Sequence, residues 1–448
     1  MIENETVKNI LSDQKRRDVL KKGAALTGAA MLPSIFAGKA FAASKPKEVV
    51  LNYWTVGGDE SCVKKVFAEY QKDHGIRPRW ERTPNIEEFM QKTYSMIVAD
   101  EQIDVLPCHY YNLAKWVKEG IIQPIDGMPG LDGYLSEMNA SVRNLCTYDG
   151  KVWGLPYFLS LHTNCYNTQL WDKTGFSSLP NSWYELGEMS KKAKADGVCK
   201  YPIVFQAGVG SEHIGDSLYA MVASIDGEMF DKDWNPLFDE GSKARKMLRW
   251  WRSTIQDWKI ADPRSLELRW IPAIKAHATG DYIFSHTQER FMRFANDKDK
   301  SPTAGMHKIF KMGRHSFGGH LWALGSTASD FKYSTKFFEY IAGKTDSGEY
   351  MMSVGRIKTS GSAGWPEKAL AVPENIAITS KRYDMEEYAR QWVDSKFLGT
   401  TVPAMLAPWY VKWVDTVFVP NLQKCLGGQI SADQACGNMA RGAEKLNG

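Results

Sequence analysis

The chain has 448 residues, of which 24% are charged and 43% hydrophobic, with a formal net charge of +4. So even a balance of charge gives no footing for a nucleic-acid partner or an anionic membrane, and the length exceeds one ordinary core, so two domains or lobes are expected. The seven cysteines (62, 108, 146, 165, 199, 425 and 436) show no CxxC and no paired zinc spacing.

The N-terminus reads first as an export signal. Lys15, Arg16, Arg17, Lys21 and Lys22 precede a weakly apolar run, "GAALTGAAMLPSIFAG", and then "KAFAA", where Ala40 and Ala42 supply a small-x-small cleavage pattern. The run is too short and too rich in Gly and Ala for a stable membrane span. Arg16-Arg17 followed by Val19-Leu20-Lys21 resembles the twin-arginine signal. Residues 1–42 are therefore expected to be removed, leaving acidic and basic residues nearly equal. No cysteine stands at the cleavage site to carry a lipid anchor.

Strand-like and helical patterns then alternate. "EVVLNYWTV" (48–56) is a β-branched and aromatic run, "ESCVKKVFAEYQKDHG" has helical spacing with a Gly stop, and "RPRWERT" is a second strand. "IEEFMQKTYSMIVAD" is a second helix, "IDVLPCHYY" a third strand and "NLAKWVKEG" again helical. This order argues for a parallel sheet covered on both faces, with ligand bound at the carboxyl ends of its strands. Those ends are Gly57 to Glu60 and Cys108 to Asn112. Asp149-Gly150 marks a hairpin, and a long apolar run follows Pro156. Further on, helices are expected at "WYELGEMSKKAKADG", "GSKARKMLRWWRSTIQDW" and "YSTKFFEYIAG", and strands at "YPIVFQ", "GDYIFSHT" and "SFGGHLWALGS". The C-terminal stretches around "MEEYARQWVDSKF", "WYVKWVDTVFVPNLQKCL" and "SADQACGNMARGAEKL" read as helical. Cys425 and Cys436 flank "LGGQISADQA", a helix-turn-helix that would bring them together as a disulfide in an oxidising compartment.

Catalytic motifs fail on inspection. "IAGKT" ends like a phosphate loop, but Phe338 stands where that loop needs glycine. "GVGSEH" has neither a nucleophile-elbow spacing nor a third dinucleotide glycine, and no HExxH occurs among the nine histidines. The sixteen tryptophans stand out instead, several of them beside turn-like residues: Trp54, Trp153, Trp234, Trp270, Trp322, Trp365 and Trp409. Flat aromatic faces suit the C–H faces of sugar rings, and Trp54 and Trp409 are the two expected at a ligand.

In order, "YWTVGGDE", "DVLPCHYYNLAKWVKEGIIQPID", "YDGKVWGLPYFLSLHTNCYN", "LPNSWYEL", "FGGHLWALGSTASD" and "CLGGQISADQACGNMA" resemble the extracellular solute-binding protein family 1, the maltose-binding-like receptors of ABC importers. The resemblance spans nearly all of residues 48–446. It implies an α/β, two-lobed periplasmic-binding-protein fold, each lobe a mostly parallel sheet flanked by helices, joined by a multi-crossing hinge. The implied lobes are 46–157 plus 317–380 and 158–316 plus 381–448. It also implies ligand contacts at Asp59 and Glu60 after the first strand, at Cys108, His109, Tyr111 and Asn112 after the third, and at Ser160 beside the hinge. In the second lobe it implies Glu212 and His213, His286 and Gln288, and Trp409 at the aromatic helix start "APWY". Ser160 stands where some maltose binders carry an acidic residue, and Cys108 where they carry an aromatic one, so the resemblance does not carry maltose itself over as the ligand.

The expected function is a periplasmic, monomeric binding protein for a carbohydrate or related polyol. It is expected to be exported by the Tat machinery and to deliver ligand to an inner-membrane ABC permease. No cofactor, metal, nucleic acid or chemical step is expected. Two alternatives stand beside it: a periplasmic carbohydrate-active enzyme with two carboxylates across a cleft, and the same binding fold specific for a polyamine-like cation.

Overall fold

The computed structural model describes residues 45–54, 58–208, 213–361 and 365–448. The export signal expected over 1–42 lies outside the described residues. Twelve strands are described: β1 (Glu48–Trp54), β2 (Arg77–Thr83), β3 (Val105–His109), β4 (Ile122–Gln123), β5 (Thr147–Tyr148), β6 (Lys151–Val152), β7 (Leu155–Asn167), β8 (Ile203–Val204), β9 (Phe284–Gln288), β10 (His307–Phe310), β11 (Ser316–Gly325) and β12 (Lys396–Phe397). All but the β5–β6 hairpin join one sheet of order β2-β1-β3-β11-β7-β9-β8, with β10 also on β7, and β4 and β12 on β11.

The alternating N-terminal pattern folds as its periodicity implies. Parallel β1–β2 and β1–β3 pairs are connected through the helices Glu60–His74 and Ile86–Val98. Gly75 ends the first helix at φ 59°, a left-handed cap that glycine adopts without Cβ strain. Asn85 starts the second by accepting a hydrogen bond from the Glu88 amide.

The sheet is mixed because β7 and β11 run against their neighbours. β11 pairs antiparallel with β3 on one side and with Leu155–His162 of β7 on the other. From His162 onward β7 pairs antiparallel with β9, and its last residues pair with β10. One thirteen-residue strand thus serves both lobes, apolar over most of its first half and carrying buried polar residues such as Ser160, Thr163 and Asn164 further along. Gly318 and Gly319 allow the close approach of β11 here. A Cβ on Gly319 would lie 2.3 Å from the Phe158 carbonyl oxygen, and one on Gly318 would meet the Tyr110 ring at 3.0 Å.

The helices Phe331–Ala342 and Met351–Ser360 pack with Glu60–His74 over the β1 side. Lys243–Gln256, Val419–Leu426 and Ala432–Asn447 pack together beyond β9. Trp116, Trp251, Trp322 and Trp413 are fully buried in the core. The Met351–Ser360 helix and β10 go unread in the sequence, since "MMSVGRIKTS" mixes apolar and polar residues without a clear stripe. "YPIVFQ" yields only the two-residue β8.

The Cys425–Cys436 expectation is corrected. The helix-turn-helix forms, but both residues are buried free thiols, as are the other five apart from the half-buried Cys199. Burial pushes the Cys425 thiol up to about 12 and the Cys436 thiol up to about 11.

Candidate functional site: a cleft closed by tyrosines

β3 delivers its carboxyl end to a short turn, Tyr110–Asn112, in which His109 Nδ1 accepts from the Tyr111 amide at 3.5 Å. Next to it is the first turn of the Ile86–Val98 helix, with Ile86, Glu87 and Met90. Facing them are Asp216 and Tyr219 from the helix His213–Ser224, and Tyr410, Val411, Val414 and Asp415 from the helical segment after Pro408. Together these residues enclose a cavity of about 240 Å³.

Two hydroxyl bonds tie its walls. Tyr110 Oη donates to Asp216 Oδ1 at 3.0 Å across the cleft, and Tyr410 Oη donates to Tyr219 Oη at 2.8 Å. Tyr111 Oη is buried with no hydrogen-bond partner among the described residues. A buried hydroxyl in that state costs free energy unless something meets it. His109 and Tyr111 lie ring to ring at 3.6 Å. The lining therefore combines carboxylates, hydroxyls, an amide and an imidazole with apolar tyrosine faces, and it contains no Lys or Arg among the described residues.

Of the residues singled out in the sequence, His109, Tyr111 and Asn112 line this cavity. Cys108, one position earlier, points the other way along the strand and is fully buried. Asp59 is also fully buried. Its Oδ2 accepts from Tyr53 Oη at 2.6 Å and Arg356 Nε at 2.8 Å, and its Oδ1 accepts from Thr359 Oγ1 at 3.0 Å. Arg356 donates to the Tyr157 carbonyl and stands 3.7 Å above the Tyr157 ring. Burial alone would lower the Arg356 pKa, but the Asp59 carboxylate holds it above its usual value. Glu60 pairs with Lys64 and Arg82.

Ser160, Gln288 and His286 form a separate polar cluster along β7 and β9. Ser160 Oγ lies 3.0 Å from Gln288 Oε1 and 3.3 Å from Glu289 Oε2. Gln288 Oε1 also accepts from Arg290 Nε at 2.9 Å. Burial pushes the Glu289 carboxyl up to about 8 against the pull of Arg290. His286 shares a 3.1 Å hydrogen bond with Asn164 Oδ1, and burial first, then His162 and His315, holds its imidazole well below the usual range. Glu212 and the side chain of His213 lie outside the described residues.

Trp409 is absent from the cavity lining, contrary to its expected place. It caps the Tyr410–Trp413 helix, packs against Phe230 at 6.0 Å and donates to Asn447 Oδ1 at 3.0 Å. The turn after Pro408 brings the next residue, Tyr410, into the lining. Trp409 is half-buried against the core, whereas Trp54 is in it, 4.7 Å from the Phe89 ring. Glu87, Asp216, Tyr219, Tyr410 and Asp415 go unread in the sequence. Only the helical spacing of Asp216 and Tyr219, and of Val411, Val414 and Asp415, would have paired them on one face.

Residues 58–268 match the family model described as bacterial extracellular solute-binding protein. Among curated relatives, the mannitol-binding protein of Pseudomonas aeruginosa is 24% identical over 196 residues, which are 43% of this chain and 44% of that protein. The match thus spans less than half of the relative. Among solved structures, maltose-bound MalE3 of T. maritima superposes with a TM-score of 0.73 at 17% identity, covering 89% of this chain and 99% of that one. An ABC transporter solute-binding protein from Agrobacterium radiobacter K84, in complex with ribitol, gives 0.73 at 17% identity over 90% and 100%. This chain therefore has the two-lobed periplasmic-binding-protein fold, and residues 58–268 carry the match to the bacterial extracellular solute-binding proteins.

Proposed function

We propose that this protein captures a small polyol or monosaccharide between its lobes and presents it to the permease of an ABC importer. The make-up of the 240 Å³ cavity carries the reading. Carboxylates accept from ligand hydroxyls, Asn112 both donates and accepts, and tyrosine faces cover C–H groups. At about 30 Å³ for each water, the space equals about eight waters, which suits one sugar unit better than a chain. The mannitol- and ribitol-binding relatives support a polyol. Ligand that prefers the closed form shifts the lobes toward it, and the Tyr110–Asp216 bond is a contact that closure makes.

The export route belongs to the same reading. The pair Arg16-Arg17 sends the folded chain through the Tat machinery, and the mature protein acts as a periplasmic monomer. Its lobes would comprise 46–157 plus 317–380 and 158–316 plus 381–448. The ligand is held and released without chemical change. A second reading, a polyamine-like cation, is favoured by Glu87, Asp216 and Asp415 in a lining with no described Lys or Arg.

A thermal-shift panel of mannitol, ribitol, glucose, maltose, putrescine and spermidine separates these readings. Stabilisation by the small polyols or glucose is expected. A shift with spermidine or putrescine alone would select the cation, and disappearance of a bound sugar on incubation would make the protein an enzyme.

A further inference from the structure

A second groove, of about 510 Å³, lies away from the cleft and has the opposite electrical character. One wall is the segment after β9, with Arg293, Phe294, Asn296, Asp297 and Lys300. The other comes from the end of the Met351–Ser360 helix and the turn after Thr379, with Lys358, Lys381 and Arg382. Five cations and one carboxylate line it.

The carboxylates nearby are already engaged. Asp297 is paired with Lys300, and Glu374, outside the lining, with Lys358. Among the described residues neither guanidinium group forms an ion pair with a carboxylate, although Asp59 acts on Arg293 and Asp297 on Arg382 from further away. Arg293 Nη1 donates to the Thr359 carbonyl at 2.9 Å, and Arg382 donates to the Ile357 and Lys358 carbonyls at 3.0 and 3.2 Å. Main-chain carbonyls fix the arginines in place without neutralising them. Burial first, and then the like charge of Arg382, holds the Arg293 pKa down to about 10. Two half-buried, like-charged guanidiniums lie close together with no carboxylate hydrogen-bonded to either among the described residues, and Asp59 and Asp297 offset their charge only from further away; that leaves an electrostatic gap that a doubly charged oxyanion closes, with the planar forks supplying directed donors.

We infer that this groove binds a phosphate-class oxyanion between Arg293 and Arg382, with Lys381 at its mouth. The inference does not rest on the sugar reading, because it concerns other residues and another ligand. An anion seated here touches segments anchored on either side of β7. It would therefore hold the two sides together whatever fills the cleft.

The experiment uses the full mature chain. Inorganic phosphate is titrated calorimetrically, with sodium chloride at matched ionic strength as the control. Saturable binding of phosphate is expected, with a rise in melting temperature that chloride does not reproduce. Lys381 is exposed and makes no described bond within the protein, so Lys381→Glu should fold normally and bind phosphate about tenfold more weakly, the loss of one charge-assisted contact. Arg293→Lys, which keeps the charge and removes the fork, should also weaken it. Flotation with phosphatidylglycerol vesicles distinguishes the source: co-flotation lost in Lys381→Glu assigns the oxyanion to a lipid headgroup, and its absence beside calorimetric binding assigns it to dissolved phosphate. Identical melting in phosphate and chloride, or unchanged phosphate affinity in Lys381→Glu, overturns the inference.

Discussion

Replacing Arg356 by Met removes the positive half of an ion pair that is sealed from water. Asp59 and Arg356 are 0% and 2% exposed at their side chains. In the variant the Asp59 carboxylate keeps two hydroxyl donors, Tyr53 and Thr359, and loses the charged one, Arg356. Breaking a buried pair from one side costs about 3–5 kcal/mol, because the remaining charge stays desolvated. Met fills part of the space over the Tyr157 ring, so packing should add little to that figure. Set against a total stability of about 5–15 kcal/mol, the loss is large. Asp59→Asn should cost a comparable amount by stranding the guanidinium. The double variant, which buries no charge at all, should recover at least about 1 kcal/mol of the summed losses. Urea unfolding followed by tryptophan fluorescence measures all three. If Arg356→Met costs less than about 1 kcal/mol, or Asp59→Asn weakens sugar binding while stability is intact, Asp59 is a ligand group and the reasoning about the pair is wrong.

The pH dependence should carry the mark of Glu289. Its folded pKa of about 8 lies above the ordinary carboxylate value, so its contribution is fully present below about pH 4.5 and is lost as pH rises through 8. Melting at pH 5 and pH 8 should show this loss, and Glu289→Gln should flatten it. Gly319→Ala places a methyl group 2.3 Å from the Phe158 carbonyl, and should destabilise by about 1–3 kcal/mol in the same urea assay. Trp409→Ala should lower the melting temperature while leaving sugar affinity unchanged, whereas Tyr410→Ala should weaken binding at least about tenfold. Calorimetry that shows the reverse would return Trp409 to the cleft.

Legibility in the sequence followed the range of the interaction. The β1 to β3 region was plain because each element declares its own period, and a strand's end is where an open α/β sheet binds. That reasoning singles out His109, Tyr111 and Asn112, which line the cavity. It gives no sign of the partner of Asp59, which looks like a ligand acceptor in "VGGDE" and is met by Arg356, 297 positions later in the chain. No local pattern marks such a partner. At "APWY" the cavity wall takes Tyr410 and not Trp409, a matter of helix phase that composition does not encode. The mixed sheet was hidden for the same reason: the direction of β11 is set by a partner strand some 150 residues away.

The single strand β7 has a bearing on how this gene can be cut. Its first half hydrogen-bonds to β11 and its second half to β9 and β10, so a fragment ending anywhere near residue 157 or 167 leaves a long row of amides and carbonyls bare. Such an edge invites pairing with another chain. Fragments that isolate either half should therefore aggregate, and reporters fused for biosensing belong in surface loops such as the one around Gly305, where an added Cβ meets nothing within 4 Å.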